Sequence, residues 1–149
     1  MSFKKEKIIL RICGVLLILS SIVPIGIGIF LTYGKDFIVE NILPGEDVAS
    51  ITRLVAGGLQ TFLTGFIALF EGIAALLAAR KDKFAKYAWA MSIFGLTACA
   101  YNYFESIIAN PSDRSIWIDF LVNLLINSAI YLCALKIRNA FINNKETEV

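Results

Sequence analysis

The charges of this chain stand in clumps, and the stretches between the clumps are long and uncharged. Ile12 to Gly34 carries no charge. Leu54 to Ala79 carries only Glu71, Tyr87 to Phe104 carries none, and about Ile116 to Leu135 carries only Asp119 near its start. About 20 apolar residues in helical form cross a ~30 Å hydrocarbon layer. Lipid offers no partner to an unpaired backbone N–H or C=O, so such runs must be helices unless they close a barrel. A barrel would show short alternating segments, which are absent. The expected fold is therefore all-α: a single domain over residues 1–149, built as a bundle of four transmembrane helices at about 8–33, 52–80, 84–108 and 115–138.

The first run could be mistaken for a secretory signal. Its apolar part is too long for one, and no small-residue cleavage site follows it, so it reads as a retained helix. Pro24, Gly26 and Gly28 should loosen its second half. Between the first two runs, "KDFIVENIL" has the pattern of a short surface helix or hairpin and "PGED" that of a turn. "NNKETEV" reads as a frayed polar tail.

Lysine and arginine set the orientation. Lys4, Lys5, Lys7 and Arg11 precede the first run, Arg80, Lys81, Lys83 and Lys86 lie between the second and third, and Lys136, Arg138 and Lys145 follow the fourth. The other two loops are poorer in bases. Both termini and the short basic turn are thus expected in the cytoplasm, with the protein multi-pass in a bacterial inner (plasma) membrane. Trp89 and Tyr87 would lie at the inner interface, and Trp117, Tyr101 and Tyr103 near the outer one.

Several function classes lose support at once. There is no histidine, the usual base near neutral pH. Cys13, Cys99 and Cys133 form no metal or redox motif, and each sits in an apolar run as a small hydrophobe would. No metal site, no cofactor and no catalytic residue is expected. A net charge of +2 gives nucleic acid no reason to bind.

The polar residues inside the runs are more informative. On a helix, Arg53, Gln60, Thr64 and Glu71 fall near one line, a polar stripe through the second run. Beside it runs a stripe of small residues, Thr61, Gly65, Ala68, Gly72, Ala75 and Ala79. Small residues allow close helix approach in lipid. That marks the second helix as the central packing helix, and Gly65, Ala68 and Gly72 as a candidate face for self-association. The third run holds Asn102 and ends at Glu105, and the fourth holds Asp119, Asn123 and Asn127 at four-residue intervals. Such groups should turn inward, since each would cost several kcal/mol if left unpaired in lipid.

Depth separates their roles. Glu71 precedes Arg80 by nine residues, or ~13 Å along a helix, which places it near the middle of the membrane. The expected picture is an outward-facing polar seam or cavity. Arg53, Arg114, Glu105 and Asp119 would form its mouth, Gln60, Thr64, Asn102, Asn123 and Asn127 its lining, and Glu71 its floor as a ligand- or proton-binding group. The plainer reading makes the amides interhelical hydrogen-bonding glue. No basic residue lies at matching depth, so Glu71 is expected in its neutral form at pH 7.

From Ile51 to Asn139 the chain resembles the small DoxX-like four-helix bacterial membrane proteins. The passages that carry the likeness are "TRLVAGGLQTFLTGFIALF", the turn "ARKDKFAK" and "YNYFESIIANPSDRSIWIDFL". In that family an arginine is expected near the end of the third helix and a glutamate partway along the fourth. Here Asn102–Tyr103 and Asn123–Leu124 stand there, so the resemblance implies the fold rather than a mechanism.

Function is then expected to be non-catalytic: a membrane-embedded protein whose seam binds a small molecule or lipid, or supports a partner. The alternative is a small oligomeric transporter or proton-linked carrier using Glu71. A lipid-acting enzyme ranks last.

Overall fold

The computed structural model describes residues 3–41, 45 and 47–146. The side chains of Glu105, Ala109 and residues 144–146 are outside the described set. The described chain is helical almost throughout, with no strand. α1 spans Lys4–Tyr33, α2 Lys35–Asn41, α3 Val48–Arg80, α4 Ala85–Ala109 and α5 Arg114–Glu146, and a 3-10 turn, Asp82–Phe84, joins α3 to α4. Three helices are long and apolar enough to cross a membrane: α1, α3 and α5. α4, at 25 residues, is more polar, with Lys86, Thr97, Asn102 and Ser106 in its sequence.

Boundaries differ from the sequence reading where caps decide. α3 begins four residues early, because Asp47 Oδ1 accepts from the Ser50 N–H at 2.8 Å and so caps the helix. α5 runs on to Glu146 where a frayed tail is expected, since no glycine or proline follows Pro111 to stop it. The short surface helix is present as α2. Gly45, at φ 90°, occupies the left-handed conformation a turn requires, while Pro44 and Glu46 lie outside the described residues. α1 continues through Pro24.

The long helices alternate in direction, and each packs on its neighbours in the ring α1–α3–α4–α5. α1 and α4 stand diagonal, with no Cα atoms within 8 Å of each other among the described residues. The closest pairing is α1 with α3. Gly14, Ser21 and Gly28 recur every seven residues on α1, and Gly58, Gly65 and Gly72 do the same on α3; all six are buried. A seven-residue repeat keeps one face toward a partner helix. A Cβ on Gly72 would stand 2.7 Å from the Gly14 carbonyl oxygen, and one on Gly28 would stand 2.7 Å from the Phe62 Cα. This is backbone-to-backbone packing, which only small residues permit. Gly65 and Gly72, the face offered for self-association, are thus occupied by α1 of the same chain.

Arg53 and Arg114 lie at one end of the bundle, while alternation gathers Lys4, Lys5, Lys7 and Arg11 of α1, Arg80 of α3, Lys86 of α4 and Lys136 and Arg138 of α5 at the other, the basic end. There Lys7 Nζ pairs with Asp82 Oδ1 at 2.7 Å, Lys136 pairs with Glu6, and Arg138 lies 4.4 Å from the Trp89 ring centroid. The core also fills this half of the bundle. Leu10, Leu17, Ala75, Ala78, Ala88, Ile130, Ala134 and Ile137 are all essentially inaccessible. The outer surface of the helices is strongly apolar, with Ile22, Val23, Phe94, Leu125 and Leu132 each about three-fifths exposed or more.

Alanine at Gly28 should lower stability by about 1–3 kcal/mol, as overpacking does. Alanine at Gly26, which would meet nothing within 4 Å, should be neutral or stabilise by about 0.5–1 kcal/mol. Equilibrium unfolding in mixed micelles reads both.

Candidate functional site

Beyond the packed core, toward the far end, the centre of the bundle opens into a cavity of about 520 Å³. The residues are small where the helices face inward: Gly57, Gly65 and Ala68 from α3, Gly95 and Ala98 from α4. α1 contributes Leu17, Ser20 and Pro24. The cavity reaches the surface where Gly57, Gln60 and Ser20 are exposed.

The polar residues become more buried with depth. Gln60 is exposed, Thr64, Asn102 and Asn123 are half-buried, Asn127 is 5% exposed and Glu71 is 0% exposed. Near the surface, Gln60 Nε2 donates to Asn102 Oδ1 at 3.0 Å, and Asn102 Nδ2 donates to Thr64 Oγ1 at 2.9 Å, joining α3 to α4. The Thr64 hydroxyl donates to the Gln60 carbonyl oxygen. Across the cavity, Asn123 Nδ2 donates to Tyr103 Oη at 3.0 Å and to the Asp119 carbonyl oxygen at 2.9 Å, joining α5 to α4. Asn127 Nδ2 donates to the Asn123 carbonyl oxygen at 2.7 Å.

Glu71 closes the bottom. Neither of its carboxylate oxygens has a hydrogen-bond partner among the described residues, and no lysine or arginine lines the cavity. Glu71 Oε2 and Asn127 Oδ1 converge beside Gly95, where a Cβ would overlap both. Glycine at 95 therefore makes room for two oxygen acceptors on facing helices. Directly beneath lie Ala74, Ala75 and Ala78 of the core.

The structure brings Gln60, Thr64, Glu71, Asn102, Asn123 and Asn127 to one cavity. The polar stripe of α3 enters it as far as Gln60 only. Arg53, Arg114 and Asp119 are exposed at the same end of the bundle without lining the cavity, and the Glu105 side chain lies outside the described residues. Arg53 and Arg114 make no ion pair among the described residues. By sequence Tyr103 belongs to the aromatic belt alone. It is half-buried, and its hydroxyl oxygen accepts from Asn123. The signal was present: Gly95, Cys99 and Tyr103 recur every four residues on one face of α4. The contribution of α1 carried no polar periodicity to announce it.

The chain matches no protein-family model, no curated protein and no solved structure.

Gly95→Ala should destabilise the fold by about 1–3 kcal/mol through overpacking. In a Glu71→Ala background that loss should shrink, giving a coupling of about 0.5–3 kcal/mol in a double-mutant cycle. Simple additivity would mean that Glu71 does not approach Gly95.

Proposed function

We propose that this chain is an integral protein of the bacterial plasma membrane in which α1, α3, α4 and α5 all cross, with both termini cytoplasmic. In this reading it is non-catalytic, and its cavity takes up a small molecule or lipid from the outer side. One observation carries the binding role: a wholly buried carboxylate, without a partner among the described residues, at the floor of a cavity that reaches the surface. A buried ionisable group in a membrane segment is costly, and retained ones mark binding or conduction sites. Glue alone accounts for the Gln60–Asn102–Thr64 cluster, whose members bond one another, and leaves Glu71 unexplained. The gathering of bases at the end where both termini lie supports the orientation. Kinship with the DoxX-like proteins belongs to the same proposal and rests on helix pattern.

The carrier reading needs a path past Glu71 to the basic end. Leu10, Ala75, Ala78, Ile130 and Ile137 fill that path and are 0% exposed, which favours binding over passage.

Orientation is tested by single cysteines in a background lacking Cys13, Cys99 and Cys133. A cysteine at Asn110 should react with an impermeant maleimide from outside intact cells, and one at Lys83 should not; the reverse pattern overturns the topology. Occupancy is tested by native mass spectrometry from lipid. A small molecule should co-purify with the wild type and be absent from Ala98→Phe, whose ring fills the cavity. Retention of the same molecule by a folded Ala98→Phe would remove the cavity from the account.

A further inference from the structure

The balance of donors and acceptors in the cavity narrows what it can hold, granted that it binds a ligand as proposed above. Among the described residues the amide nitrogens on the cavity wall donate within the protein, once each from Gln60, Asn102 and Asn127 and twice from Asn123, so three single N–H bonds stay free. The acceptors at the floor are different. Both Glu71 oxygens lack a partner among the described residues, and Asn127 Oδ1 lies beside Glu71 Oε2 over Gly95. Oxygen acceptors in surplus, one pair of them a carboxylate, recognise a group that only donates and carries positive charge. An ammonium is such a group, with three donors and no lone pair.

Size and wall chemistry decide between an inorganic cation and an organic one. A hard cation of the calcium type takes six or more oxygens at close range, and the floor offers two side chains. The cavity, at about 520 Å³, lies within the range of pockets that hold small organic molecules, about 300–1,000 Å³. Above the floor its wall is apolar along Leu17, Ile67, Ala68 and Ala98. We propose that the cavity binds a small amphiphilic primary amine in its ammonium form, the nitrogen seated between Glu71 and Asn127 and the apolar body lying along α1 and α3. The ligand brings the counter-charge that the chain does not place at this depth, and its arrival converts Glu71, expected neutral in the empty cavity, to the ionised form that accepts from the ammonium.

Benzylamine is the probe, with benzyl alcohol as its uncharged counterpart. Equilibrium dialysis of the full chain in detergent should show one saturable benzylamine site per chain, not displaced by equal benzyl alcohol. Affinity should fall about tenfold or more in Glu71→Gln, the size of one lost charge-assisted hydrogen bond, with helicity by circular dichroism unchanged. Should Glu71→Gln fail to fold, Asn127→Leu provides the same reading, again with about a tenfold loss expected. Unchanged benzylamine affinity in a folded Glu71→Gln overturns the proposal, as does the absence of a saturable site in the wild type. Equal displacement by benzyl alcohol overturns ammonium recognition and leaves binding in the cavity standing. If neither compound binds and no molecule co-purifies, the binding reading falls as well.

Discussion

Contact of glycine backbone with glycine backbone along α1 and α3 sets the dimensions of the rest of the bundle. With Gly14, Ser21 and Gly28 against Gly58, Gly65 and Gly72, the two backbones come into contact, and Ile18 and Ile25 of α1 seat directly over Gly72 and Gly65. They form a thin slab, and α4 with α5 forms the opposite one. Because the backbones of α1 and α4 stand apart, the centre must be filled by side chains projecting inward. Toward the basic end, leucine, isoleucine and alanine fill it. Toward the far end, the inward positions are Gly57, Gly65, Ala68, Gly95 and Ala98, too small to meet across the gap. The cavity is what remains where close packing on one side is not matched by bulk on the other.

Glu71 stands at the boundary between these regimes. One turn further along α3 are alanines sealed to 0–7% exposure, and one turn back is Ala68 on the cavity wall. The carboxylate faces the open side because the closed side has no volume for it. Its placement differs in kind from that of Asn102, which gives and takes one hydrogen bond across α3 and α4 and so joins them. A group that joins helices is satisfied by the fold; Glu71 is placed by the fold and left with its bonding capacity unused.

Much of this was written in the order of residues. The uncharged runs and clumped bases specified helices and their alternation, and the stripe Gln60, Thr64, Glu71 and the series Asn123, Asn127 put the cavity lining on the correct faces, since helical phase alone decides that. Phase does not say how far a stripe stays enclosed, which is why Arg53 was assigned to the mouth and is exposed beside it. Nor does it name the partner of a small-residue face. By sequence Gly65 and Gly72 suit self-association; in the fold the matching heptad Gly14, Ser21, Gly28 on α1 covers them. Recognising that match requires comparing two helices in register, a tertiary fact. α4 lacks a stretch as apolar as those of α1, α3 and α5, and Asn102 and Tyr103, which line the cavity, are part of the reason.

The length of α3 has a consequence for how the cavity is reached. Its 33 residues extend ~50 Å, about 20 Å more than a typical hydrocarbon layer. A helix of this length crosses by tilting or by standing proud of the lipid tails at both ends. With the excess shared equally, Arg53 would lie among the headgroups, Gly57 a few ångströms below them and Gln60 about 8 Å below them. On the binding reading proposed above, the entrance would be held at the boundary where amphiphilic molecules collect. Occupancy of the cavity would follow the concentration of a compound in that boundary layer, which partitioning can raise far above its concentration in water.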